Sequence, residues 1–218
     1  LKEMAVNPML LTTMTILHQD RTKLPDQQVM LYREVIELLL HRWQEGKEDL
    51  QISEALQKFF DPDKRTQLRE IMQRLAYQCH LSRDDKNSKS DLLRDDAVHI
   101  LMDKTALGSR DLAFEFLDYL DMRSGLLIGY GGRTGFPNTY GFPHRTFQEF
   151  LAGCHVFANR DNRRLLAKHA AEGDNWNVAI QFGMEDQYYN RDGKNTLLTI
   201  AYGICQECQH DEIYQRLV

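Results

Sequence analysis

Thr139-Tyr140-Gly141-Phe142-Pro143-His144-Arg145-Thr146-Phe147-Gln148-Glu149-Phe150-Leu151-Ala152 reads as a short strand running into a helix, with a histidine at the junction. Thr146 and Glu149 stand in the T-x-x-E spacing of a capping box. The Thr hydroxyl would accept the third helical N–H, and the Glu would reach back to the Thr N–H. Phe147, Phe150, Leu151 and Cys154 follow at helical spacing and predict a buried face. His144 then lies two residues before the cap, near the positive end of the helix, where free N–H groups favour an anion. Two readings of His144 stay open on these residues alone. It is either a corner histidine satisfied by a carbonyl or a contact for an anion.

Upstream, Gly125-Leu126-Leu127-Ile128-Gly129-Tyr130 has strand composition, and Gly131 to Asn138 is turn chemistry with three glycines and a proline. With 139–142 this predicts a β-hairpin with a long tip. Its glycines do not match the G-x-x-x-x-G-K-[ST] phosphate loop, and no helix follows them at once.

Before the hairpin, the patterns are helical. Helices are predicted at 5–18, with Asn7 capping and Pro8 at the first position, and at 27–46, with Asp26 capping. In the second, Val29, Tyr32, Ile36, Leu39 and Trp43 form a stripe, widened by Leu40, and Gly46 stops the helix. The first, with Met9, Leu10, Met14 and Leu17, is expected to be buried on most sides. Further helices are expected at 53–60, 63–81, 93–104 and 110–122, the last capped by Ser109. The polar run from Ser82 to Asp91 predicts an exposed loop. Several helices, a hairpin and then a helix is the layout of a winged helix. After Ala158 the pattern is helical again, at 161–172, about 175–184, 194–209 and 210–218. Trp176, Val178, Ile180 and Phe182 are assigned to a core face. Short paired helices suggest the start of an α-solenoid. The expected fold class is therefore mainly α, a winged-helix domain with a small β-hairpin followed by a solenoid-like helical region.

The 218 residues carry a net charge of −5, which argues against a general nucleic-acid binder. No apolar run approaches a membrane span, and the N-terminus has no signal-peptide layout. Leu1 in place of a methionine, with helix pattern from the start, suggests a piece of a longer protein. Cys79 and Cys154 lie in apolar helical patterns, as in a reduced intracellular protein. Cys205-x-x-Cys208 with His210 lacks the second pair that structural zinc requires, so two cysteines on successive turns of a helix is the preferred reading. The eight histidines are scattered along the chain. No nucleophile–base–orienter set stands out.

Three segments together resemble the region after the nucleotide-binding core of NACHT-type signal-transduction NTPases, relatives of the NOD-like receptors. Asn7-Pro8-Met9-Leu10-Leu11 is similar to the N-P-L-L-L start of the last helix of that family's first helical domain. Leu31-Tyr32 through Leu40-His41-Arg42-Trp43 resembles the L-Y…L-L…W helix that follows. Phe142 to Ala152 resembles the F-x-H-x-[ST]-F-Q-E-[FY]-x-A signature of the winged-helix domain. The resemblance spans residues 4–158. It implies the end of helical domain 1 at 1–25, a winged-helix domain at 26–158 and the start of a helical repeat domain at 159–218.

The resemblance further implies that Pro8 packs on the adenine ring and that His144 contacts the β-phosphate of bound ADP in a closed, resting state. The implied cofactors are ADP and ATP, with magnesium held upstream. The implied partners are the upstream NTPase core of the same chain and further copies on activation, in cytoplasmic innate immune or defence signalling. The P-loop and the magnesium-binding acidic run are absent from these residues, so the chain alone is expected not to hydrolyse ATP. A winged-helix DNA-binding regulator is the alternative, with Arg123, Arg133 and Arg145 flanking the hairpin. Glu115, Asp118 and Asp121 on the third helix argue against it. A protein-interaction scaffold is a further alternative.

Overall fold

The computed structural model describes residues 8–20, 25, 27–41, 52–82, 91–133, 135–159, 161–172, 174–191 and 193–208. Expectations for Asn7, Thr22, Asp26, Trp43, Gly46, loop residues 83–90 and the helix at 210–218 lie outside them. So do the side chains of Pro8, Cys205 and Cys208.

The first helix, α1 (Pro8–Asp20), buries Met14 and Leu17, one turn apart, against α2 (Gln28–His41). Leu11 is exposed, and the side chains of Met9 and Leu10, expected to be buried, lie outside the described residues. In α2, the predicted Val29, Tyr32, Ile36, Leu39 and Leu40 are all buried, and Leu31 and Val35 join them. The polar remainder of α2 also finds partners. Arg33 donates to the Asn190 carbonyl at 3.2 Å, and Glu37 accepts from Arg69 Nε at 3.0 Å.

Helix α3 (Glu54–Gln57) is capped by Ser53, whose hydroxyl accepts the Leu56 N–H at 3.1 Å. Two 3₁₀ turns, Lys58–Phe60 and Pro62–Lys64, lead to α4 (Arg65–Leu81). Its buried Leu68, Ile71, Met72, Leu75 and Ala76 follow the predicted period.

Next come β1 (Leu92–Leu93), α5 (Arg94–Met102), α6 (Arg110–Tyr119), β2 (Ile128–Tyr130) and β3 (Thr139–Gly141). The sheet is antiparallel in the order β1-β3-β2, with Tyr140 opposite both Leu92 and Gly129. The expected hairpin is present, and β1 is added to it. Helix, strand, two helices and a two-stranded wing make this a winged helix.

Three local expectations change. Ser109 stands at the N-cap of α6, but its side chain makes no capping bond. Helix α6 ends at Tyr119 and passes into a π-helical turn, Leu120–Ser124. Gly125 closes that turn at φ 63°, and Leu126 and Leu127 enter the core unpaired. The strand is therefore shorter than 125–130.

Helices α7 (Arg145–Ala158), α8 (Asn162–Ala171), α9 (Asn177–Asn190) and α10 (Lys194–Cys208) follow among the described residues. Helix α7 is buried along most of its length, packed mainly on α4 and α9. Trp176 precedes α9 and is buried, as is Phe182, but Val178 is 41% exposed. The buried face of α9 runs Ala179, Phe182, Gly183, Asp186, Gln187, in steps of three and four. The alternate-residue assignment of 176–182 was a strand period placed on a helix.

Where α7 crosses α9, backbone meets backbone. A Cβ on Gly183 would lie 2.6 Å from the Gly153 carbonyl oxygen. One on Gly153 would lie 2.8 Å from the Ala179 carbonyl carbon and 2.9 Å from the Gly183 nitrogen. None of these neighbours is the free end of a side chain. Elsewhere in a helix, Gly→Ala stabilises by about 1 kcal/mol. Here Gly153→Ala is expected to destabilise by roughly 1–3 kcal/mol, the usual cost of overpacking. Urea unfolding checks it, and a stabilised variant contradicts the crossing.

Candidate functional site

Strand β3 ends at Gly141, and Phe142 and Pro143 carry the chain to the mouth of α7. His144 is the N-cap, with extended backbone (φ −118°, ψ 112°). Its carbonyl accepts the N–H of Phe147 at 3.1 Å and of Gln148 at 3.4 Å. Its ring meets Phe147 edge to face, centroids 5.8 Å apart.

The expected capping box is not formed. The helix starts two residues earlier than that pattern requires, so Thr146 lies inside the first turn. Glu149 turns to Arg145 instead and accepts its Nε–H at 2.6 Å. A charge-assisted bond to a guanidinium outcompetes a neutral backbone donor. Glu149 is buried while Arg145 is 58% exposed, so a solvent-facing cation is tethered beside His144.

Burial holds the His144 pKa below its ordinary value, so the imidazole is neutral at pH 7. The N–H groups of Arg145 and Thr146 have no acceptor within the helix, by helix geometry. An imidazole, helix-end N–H groups and a cation thus converge at one end of α7. Pro8 is the first residue of α1, which packs on α2.

The histidines are less scattered than the sequence suggests. His80, His155 and His169, from α4, α7 and α8, gather around Tyr77 and Trp176. His169 Nδ1 lies 2.8 Å from a Glu172 carboxylate oxygen, which can only accept. Nδ1 therefore carries the proton, and Nε2 accepts from the Tyr77 hydroxyl at 3.0 Å. By the same logic His80 Nε2–H donates to the Asn175 carbonyl at 2.9 Å, and Nδ1 accepts from Gln148 at 3.4 Å. His169 stacks on Trp176 at 3.7 Å. This network ties the winged helix to the segment that precedes α9. Separations of up to 95 residues hid it from sequence patterns.

Two carboxylates, Glu115 of α6 and Asp121 of the turn that follows it, are engaged within the fold. Glu115 accepts from the backbone N–H and hydroxyl of Ser53, the latter at 2.7 Å. Asp121 accepts the Gly129 N–H at 3.1 Å and so holds the base of the wing.

The order of elements and the wing define a winged-helix domain. Over residues 28–156, more than half of the chain, the sequence matches the family described as winged helix-turn-helix domain C-terminal to NACHT, and the chain belongs to that family. No curated protein and no solved structure gives a significant match. Among the described residues, no helix is long and apolar enough to cross a membrane.

The histidine network makes stability depend on pH. Burial, aided by Arg74, lowers the His155 pKa from 6.5 to about 4. The unfolded chain binds this proton first. The stabilisation is therefore complete above pH 6.5 and is lost as the pH falls towards 4. The loss from this group is on the order of 3 kcal/mol. Urea unfolding at pH 7 and pH 4.5 is expected to show a smaller drop for His155→Gln than for the parent.

Proposed function

We propose that this chain is the regulatory winged-helix portion of a NACHT-type signal-transduction ATPase. It closes over bound ADP in the resting state and switches on ligand sensing, in cytoplasmic innate immune or defence signalling. The observation that carries the reading is His144 at the N-cap of α7 in a winged-helix domain of the family found C-terminal to NACHT.

The chemistry is consistent with a phosphate sensor. A neutral imidazole gains a proton as a phosphate approaches, because full negative charges outweigh the partial positive charge of the helix end. The N–H groups of the first turn favour the same ligand. Pro8 supplies a flat apolar ring for the adenine. The P-loop and magnesium ligands belong to the upstream core, so this chain contributes the closing half and no hydrolysis. Switching requires a ligand that prefers the open state, and activation then joins copies through the NTPase core. The internal engagement of Glu115 and Asp121 supports this reading over duplex recognition by α6.

His144→Ala in the protein that includes the NACHT core is expected to weaken ADP binding about tenfold or more, the value of a hydrogen bond to a charged group. Resting activity should rise with it. Calorimetric titration of ADP reads the first effect, and unchanged affinity together with unchanged resting activity overturns the role of His144.

A further inference from the structure

One side of the domain carries a ladder of cations and rings. Arg94 opens α5, and its backbone N–H donates to the Asn138 carbonyl at 3.0 Å, which ties the helix to the wing. Its guanidinium carbon lies 4.8 Å from the Phe114 ring centre and 4.7 Å from that of Phe136. The Arg110 guanidinium carbon lies 5.5 Å from the same Phe114 ring. The order Arg110, Phe114, Arg94, Phe136 runs from the start of α6 to the wing.

The outer end of this ladder is open. Phe136 is 60% exposed, and Leu93, next to Arg94 in the chain, is 59% exposed. The turn carrying Phe136 is closed by paired backbone bonds with Arg133, at 2.7 and 3.3 Å. Gly132, at φ 74°, takes a conformation that side chains rarely adopt. The wing is therefore a tight support for an exposed ring.

Arg94 Nε is buried with no acceptor, an uncommon state for a charged group. Stacking between two rings holds this guanidinium where hydrogen bonds would ordinarily do so. Its terminal nitrogens are neither bonded to a described residue nor buried without a partner, so they face solvent. Neither Arg94 nor Arg110 makes an ion pair with a described residue, although Asp118 of α6 lies near enough for its charge to act on Arg94.

We propose that this ladder is a docking surface for a protein segment that presents a single carboxylate beside an apolar side chain. The terminal nitrogens of Arg94 take the carboxylate as a fork, with Arg110 as the second cation. Phe136 and Leu93 cover the apolar neighbour. Immobilised arginine and aromatic side chains are the groups that dominate protein interfaces. Charge decides the class of partner. Asp95 and Asp96 on α5, and Asp111 and Asp118 on α6, are all exposed. Repulsion from these carboxylates grows with each charge a partner carries, so a nucleic-acid backbone, with a charge at each step, is disfavoured more than a segment with one carboxylate.

The test is panning of a random twelve-residue peptide display library on the chain, with Arg94→Gln and Phe136→Ser panned in parallel. Unfolding midpoints confirm that each variant is folded. Selected peptides are expected to be enriched in Asp or Glu next to a large apolar residue. Affinity of the best peptide should fall about tenfold in each variant, with Arg94→Lys between them. If Arg94→Gln fails to fold, Phe136→Ser decides, since its side chain lies largely in solvent. No enrichment, or enrichment equal on parent and variants, overturns the proposal. Binding of a fluorescein-labelled DNA strand or duplex that these substitutions abolish overturns it in favour of nucleic acid.

Discussion

Two absent methyl groups set the relation between the winged helix and the helices that follow it. At Gly153 and Gly183 the backbones of α7 and α9 touch, and a Cβ at either position would enter the other helix. So close a crossing leaves little room for slip, because packed interiors respond to volumes as small as one methylene. The aromatic side chains around it then find fixed places. Tyr32 of α2 meets Phe147 edge-on at 5.6 Å, lies parallel to Phe150 at 5.9 Å and meets Phe182 edge-on at 5.3 Å. Each such pair contributes about 0.5–1.5 kcal/mol beyond the area it buries. Three helices distant in sequence are thereby fixed by one tyrosine, and the glycines determine where its partners stand.

This packing constrains any motion of the site. Helix α7 carries His144 at its first end and Gly153 in its middle. Withdrawing His144 by sliding α7 along α9 would break the glycine contact and the rings together. The lower-energy course moves α7 and α9 as one body. The histidine network adds to the coupling, since Tyr77 and His80 of α4 bond to His169 and the Asn175 carbonyl just before α9. Rearrangement at the mouth of α7 is thus transmitted to the C-terminal helices through rigid contacts rather than through a loop.

Sequence periodicity located most helices because burial against a single neighbour leaves a stripe at steps of three and four. The stripe in α2 was read correctly to Leu40, and that in α4 along its length. What escaped was structure set by competition between donors and by partners distant in sequence. Thr146 and Glu149 have the spacing of a capping box, yet Arg145 supplies a stronger donor to Glu149. Leu92 and Leu93 carry no alternation that would mark a strand, and they pair only because β3 offers them an edge. Gly153 and Gly183 carry no mark in a helical pattern, since their partners are backbone atoms that no pattern records. His144 was legible as a histidine at a helix mouth, and its neutral state follows from burial that only the fold supplies.

The α6 helix divides its surface between holding the fold and facing outward. At its C-terminal end Tyr119 donates to the Leu40 carbonyl at 2.9 Å, and in the turn that follows Asp121 holds Gly129. Glu115, near its middle, fastens Ser53 and through it the cap of α3. Its first turns carry Arg110 and Phe114, which join Arg94 and the wing. A helix that reads duplex DNA must leave one face clear along several turns to enter a groove. Here Glu115 and, past the helix end, Asp121 are part of the framework, and the exposed Asp111 and Asp118 would repel phosphate. The helix that anchors the wing is therefore unsuited to a groove, and the contacts that make it unsuited hold the wing in place.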